Sequence, residues 1–153
     1  MKKILYSLFA VLALSCSFIS CSDDDDDATV HSVTPEKAAA GVYSGTFSRV
    51  QDGTTDTLYT QGTVTITATD SAYCADVTFD CTGDFTYNAT SVANISYADD
   101  GFVFTNNSTS NGLGTSFIGR INSNGSLSSY FKVQQKSGRK TYTYYYNFSG
   151  VKQ

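Results

Sequence analysis

From about residue 42 onward nearly every second side chain is apolar, and that period of two governs what the chain can fold into. Val64, Ile66 and Ala68 fall on one side of an extended backbone, while Thr63, Thr65, Thr67 and Thr69 fall on the other. Tyr142, Tyr144, Tyr146 and Phe148 repeat the pattern near the C-terminus. The single proline, Pro35, precedes the pattern, and no long helical spacing of apolar residues follows it. Threonine, valine, tyrosine and phenylalanine suit a pleated, half-buried surface. The domain is therefore expected to be all-β, with room for no more than a short helical turn at 36–40.

Turn residues cut the pattern into eight strands. The first covers about 42–50, with Tyr43, Gly45 and Phe47 on one face, and Asp52-Gly53 turns it back. The second runs over 57–69. The third carries Tyr73, Ala75, Val77 and Phe79 on its apolar face, Cys81 among them and Cys74 opposite. The fourth, over 85–97, is expected to break near Asn88 and to point Ala93, Ile95 and Tyr97 inward. Asp99-Asp100-Gly101 is a hairpin signal leading to the fifth, at 102–105. After a polar loop at 106–114, the sixth aligns Phe117, Gly119 and Ile121. The seventh aligns Leu127, Ser129, Phe131 and Val133, and the eighth ends the chain.

Eight short strands joined by tight turns predict an antiparallel up-and-down meander that closes into a barrel, which removes exposed edges. A β-sandwich is the alternative. An eight-stranded barrel is filled by side chains or holds one small ligand. The candidates to line such a cavity are Tyr43, Phe47, Phe117, Phe131, Tyr142, Tyr144, Tyr146 and Phe148, which offer apolar faces and orienting hydroxyls. Equally, they could pack as a solid core. Tyr130 and Tyr145 fall on the opposite faces of their strands, where exposed rings could stack on sugars.

Little in the chain suggests catalysis. The lone histidine, His31, precedes the domain, and no nucleophile motif or phosphate-cradling loop occurs. Many acids (Asp52, Asp70, Asp84, Asp99, Asp100) stand at turns, where aspartate serves the turn itself. No His/Cys cluster has metal-ligand spacing, so neither metal nor cofactor is expected. Cys74 and Cys81 would lie about 23 Å apart on one strand at ~3.3 Å per residue. A disulfide needs Cα atoms within about 7 Å, so two free thiols are expected unless the strand breaks.

Charge is unevenly placed. Of fourteen acids five form the run at 23–27; the nine that remain face eight bases once Lys2 and Lys3 are set aside. Every acid lies at or before Asp100, while Arg120, Lys132, Lys136, Arg139, Lys140 and Lys152 follow it. Either the last strands form a basic surface for anionic sugars, phosphates or a partner, or acidic neighbours cancel them once the sheet closes. A chain that is acidic as a whole is a poor nucleic-acid binder.

The N-terminus addresses location. Lys2-Lys3, an apolar run to about Ile19 and then Cys21-Ser22 with five aspartates have the layout of a secretory signal. The run is short of the roughly 18 to 20 uninterrupted residues of a spanning helix. The arrangement resembles the lipoprotein signal of Bacteroidota, in which a cysteine is acylated, with palmitate-class chains, and Cys-Ser-Asp directs export to the cell surface. Cys21 is the favoured lipid site and Cys16 the alternative; a plain secreted signal is a third reading. Several acyl chains at about 0.8 kcal/mol per CH₂ anchor a protein stably. The expected organisation is a signal peptide at 1–20, an acidic tether at 21–35 and a domain at 36–153.

Ala40-Gly41-Val42-Tyr43-Ser44-Gly45, Gly62-Thr63-Val64-Thr65-Ile66, Asn124-Gly125-Ser126-Leu127 and Asn147-Phe148-Ser149-Gly150-Val151-Lys152 resemble the calycin-like β-barrel lipoproteins of Bacteroidota, relatives in shape of lipocalins. The lipocalin Gly-x-Trp is here Gly41-Val42-Tyr43, without tryptophan. The resemblance implies a barrel at the outer membrane and no particular reaction. Asp56-Thr57-Leu58 and Asp70-Ser71-Ala72 resemble the O-glycosylation sites of exported proteins of that phylum, making Thr57 and Ser71 candidates. The leading expectation is thus a monomeric, lipid-anchored surface protein that encloses a small apolar or amphipathic ligand. The alternative is a non-catalytic accessory or structural module whose solid barrel meets a protein partner or glycan through its outer surface.

Overall fold

The structure, a computed structural model, describes residues 33–106 and 116–153. The signal segment, Cys16, Cys21, the aspartate run, His31 and most of the polar loop lie outside the described residues.

A short helix, α1 (Pro35–Ala39), precedes eight strands: β1 (Gly41–Gln51), β2 (Thr57–Ala68), β3 (Cys74–Cys81), β4 (Tyr87–Ala98), β5 (Gly101–Asn106), β6 (Phe117–Ile121), β7 (Ser126–Ser137) and β8 (Lys140–Lys152). Each pairs antiparallel with the next, and β8 returns to β1, so the sheet closes into a barrel. The up-and-down barrel read from the alternation is therefore the fold, and the two-sheet alternative falls. Turn residues act where expected at Gly53 and Gly101, which take positive φ, as do Gly125 and Gly138 in the turns before β7 and β8.

The apolar stripes converge on the axis and fill it. Phe79 on β3 reaches across to Phe131 on β7 at 4.7 Å between ring centroids and to Phe117 on β6 at 5.3 Å. Phe131 stacks on Tyr146 at 4.9 Å, with the planes 3° apart, and Tyr87 meets both rings at 5.2 and 4.9 Å. Phe47 and Phe148 pack at 4.7 Å across the β1–β8 seam. Two glycines make room. A Cβ on Gly119 would lie 1.9 Å from Cζ of Phe104, and one on Gly45, opposite Gly150, would lie 2.1 Å from the Ser149 carbonyl oxygen.

The two ends of the barrel differ. At one, α1 lies against β2 and β4. Tyr43 Oη, inside the barrel, donates to the Ala39 carbonyl at 2.7 Å, and the Tyr73 N–H donates to Glu36 Oε2 at 3.0 Å. Tyr97 Oη donates to the Val33 carbonyl, and Thr34 Oγ1 to Glu36 Oε1. The other end is framed by the β1–β2, β3–β4 and β7–β8 turns.

Three local expectations change. Tyr73 does not join the apolar face of β3. It stands in the turn at φ 63°, with its ring 58 % exposed, because Glu36 and the Ile95 N–H (2.8 Å to the Tyr73 carbonyl) hold its backbone. β4 starts at Tyr87 and runs unbroken past Asn88, whose side-chain amide donates to Asp80 Oδ1 at 3.1 Å across the outer face. Tyr97 is half-buried, its hydroxyl drawn to the α1 end. β3 is continuous, so Cys74 and Cys81 are free thiols on opposite faces, Cys81 buried and Cys74 half-buried.

Candidate functional site

The register assembles an outward-facing site on the wall made by β5 to β8. Side chains alternate, so Val103, Ile118, Arg120, Ser128, Tyr130, Lys132, Tyr145 and Asn147 all point away from the filled core. Across the strands Val103 stands beside Arg120 and Arg120 beside Ser128; Ile118 faces Tyr130, and Tyr130 faces Asn147. Lys132 faces Tyr145 one step along. An open depression of about 480 Å³ lies here, walled by Ile118, Arg120, Ser128, Tyr130 and Asn147, with Gly119, Ser129 and Phe148 at its floor.

Tyr130 and Tyr145 stack in parallel beside this depression, with centroids 6.3 Å apart and planes at 13°. Tyr130 is 45 % and Ile118 53 % exposed, so apolar surface meets water where amide, hydroxyl and guanidinium groups are within reach. The Arg120 Nε–H donates to Asn122 Oδ1 at 3.0 Å, which steadies the guanidinium and leaves its other donors outward.

Sheet closure does not cancel the basic charge. No aspartate or glutamate occurs in β5, β6, β7, β8 or β1. The strand carboxylates, Asp76 and Asp80, stand on β3, three places round the ring from the nearest of the basic strands. Asp100 accepts from Ser123 Oγ in the turns between strands. Among the described residues, the wall that carries Arg120, Lys132 and Lys136 is thus uninterrupted by opposite charge.

A second cluster occupies the barrel end away from α1. Arg49 shares the inward face of β1 with Tyr43 and Phe47, and its guanidinium covers the rings of Phe85 at 4.7 Å and Tyr144 at 4.9 Å. It makes no ion pair among the described residues. Beneath it lie Tyr146 and Tyr87, whose buried hydroxyls have no hydrogen-bond partner among the described residues. Burial pushes both phenols up, and Tyr146 has Arg49 close enough to oppose the shift, though no hydrogen bond of ordinary geometry joins them. Burial likewise raises the nearby Cys81 thiol.

Of the proposed lining residues, Tyr43, Phe47, Phe117, Phe131, Tyr146 and Phe148 are brought together and buried; Tyr142 and Tyr144 are half-exposed toward the rim. Thr57 and Ser71 are both exposed. Sequence reading had named Tyr130 and Tyr145 but missed Ile118, Ser128 and Asn147, which only cross-strand register gathers. It also missed Arg49, although the spacing of Tyr43, Phe47 and Arg49 places the arginine on the apolar face. No three His, Cys, Asp or Glu side chains among the described residues are grouped to hold a metal. Comparison with protein families, with curated proteins and with solved structures finds no match for this chain.

Proposed function

We propose that this protein is a non-catalytic binding module, tethered at the bacterial cell surface through an acylated Cys21, that holds a glycan against the outer wall of β5 to β8. The depression beside the Tyr130–Tyr145 stack carries this reading, because it lies on the outside of a barrel whose axis is occupied by rings. Flat aromatic faces next to hydroxyl, amide and guanidinium groups suit a sugar, which offers C–H faces and hydroxyls together. Support for the tether is the Lys2-Lys3, apolar and Cys21-Ser22-aspartate layout and the likeness of the barrel segments to calycin-like surface lipoproteins.

The test is affinity electrophoresis of the purified protein through gels containing neutral and acidic polysaccharides, beside a Tyr130→Ala variant. Retardation by at least one polysaccharide that the substitution clearly reduces is the expected result. Passage of the wild-type protein through every gel unretarded would end the glycan reading.

One observation favours a second reading, a small amphipathic ligand entering at the end opposite α1. Tyr87 and Tyr146 hydroxyls lie buried beneath Arg49 with no hydrogen-bond partner among the described residues, where a polar headgroup would meet them. Native mass spectrometry of protein taken from its own cells would display such a ligand as a stoichiometric mass increment.

A further inference from the structure

We infer that the wall of β5 to β8 is built for a polyanionic polysaccharide, one bearing carboxylate or sulfate groups along its length. The inference rests on the glycan reading above and adds the charge class of the ligand.

Tyr130 occupies the middle of the wall, stacked with Tyr145, and a cation stands on each side of it along the strand direction. Arg120 is level with Ser128, two residues before Tyr130 on β7; Lys132 lies two residues after it, level with Tyr145. From Ser128 to Lys132 is four residues, so the two cations are separated by roughly 13 Å at ~3.3 Å per residue. Lys136 extends the same outward row toward the β7–β8 turn, where Arg139 and Lys140 are exposed. The site is therefore a row of cations interrupted by an aromatic platform, matching a chain whose charges recur between stackable rings.

Charge complementarity selects the ligand. A neutral glycan would use the tyrosines and leave the cations idle. A compact phosphate would use one cation and leave the platform idle. An acidic polysaccharide engages both. The strands on either side of the wall, β4 and β1, carry no carboxylate and add no repulsion, and Asp76 and Asp80 on β3 lie on a different wall. Exposed pairs of this kind contribute about 0.2 to 1 kcal/mol each, so several along one chain are needed for useful affinity.

The test compares polygalacturonate with its fully methyl-esterified form and with a sulfated glycosaminoglycan, by affinity electrophoresis and calorimetry. The wild-type protein is expected to bind at least one acidic polymer and to ignore the ester. Binding should weaken steeply from about 10 mM to about 1 M salt, as the screening length falls from ~30 to ~3 Å. Arg120→Gln and Lys132→Gln should each weaken it roughly two- to five-fold, the range of one exposed charge pair. Tyr130→Ala should weaken it about ten-fold, while Asp80→Asn leaves it unchanged. Equal binding of the methyl ester, or no effect of either cation substitution, would overturn the charge class while the glycan reading stands. Acidic polymers bound equally by Tyr130→Ala, with polyphosphate competing fully, would reduce the wall to bulk charge attraction and overturn both.

Discussion

Buried tyrosines in this barrel do different work, and the differences are measurable. Tyr43 makes a hydrogen bond to the Ala39 carbonyl, whereas Tyr87 and Tyr146 make none among the described residues. Tyr43→Phe should therefore cost about 1 kcal/mol in urea unfolding, while Tyr146→Phe should be neutral or stabilising, since it removes a hydroxyl already stripped of water. Phe79→Ala, at the crossing of the aromatic contacts, should cost roughly 3 to 5 kcal/mol. Ionisation follows the same logic. Burial pushes Tyr43 up to about 12 and raises Tyr87 and Tyr146 above 10, so the folded state holds these protons longer than the unfolded chain. That contribution is complete below pH 10 and is lost as pH rises beyond it. Ultraviolet titration should thus show late phenolate formation that coincides with alkaline unfolding. Cysteine labelling should be biphasic, with half-buried Cys74 reacting first and Cys81 waiting on opening of the barrel.

Among the elements, α1 is held by polar contacts more than by its own five residues, too few for an isolated helix. Glu36 accepts from Thr34 first, and from its own and the Tyr73 backbone N–H, which together hold its carboxyl below the ordinary value of 4.5. A lowered folded pKa means stability present above 4.5 and lost as pH falls through the lower folded value. Amide exchange at Tyr73 and Ile95 should accelerate in that acidic window, and Glu36→Gln should remove the pH dependence. The strands themselves were legible from alternation, because a period of two is a local property and the turn glycines are explicit. Tyr73 was not legible: its apolar ring continued the alternation of β3, and the contact that removes it comes from Glu36, distant in sequence. Phe85 shows the same limit, being buried from a turn position by packing on Tyr146 at 5.7 Å.

At the scale of the whole molecule, the sequence displayed a charge imbalance but not its resolution. The strand carboxylates on β3 and the bases after residue 100 come to lie on different walls of one cylinder only because neighbouring strands in sequence stay neighbours in space. The site needed that mapping too: Ile118, Tyr130 and Asn147 belong to three strands and meet through register alone. The same sequential order has a kinetic consequence. Seven of the eight strand pairings join consecutive segments, and the eighth joins the first strand to the last. Local hairpins close at little entropic cost, whereas the meeting of β1 and β8 must wait for the whole ribbon to curl. Gly45 and Gly150 face each other at that final meeting, where added bulk would collide with backbone. Zipping of the seam should therefore set the tempo of folding, and Gly45→Val should slow stopped-flow refolding and leave an open ribbon with two sticky margins.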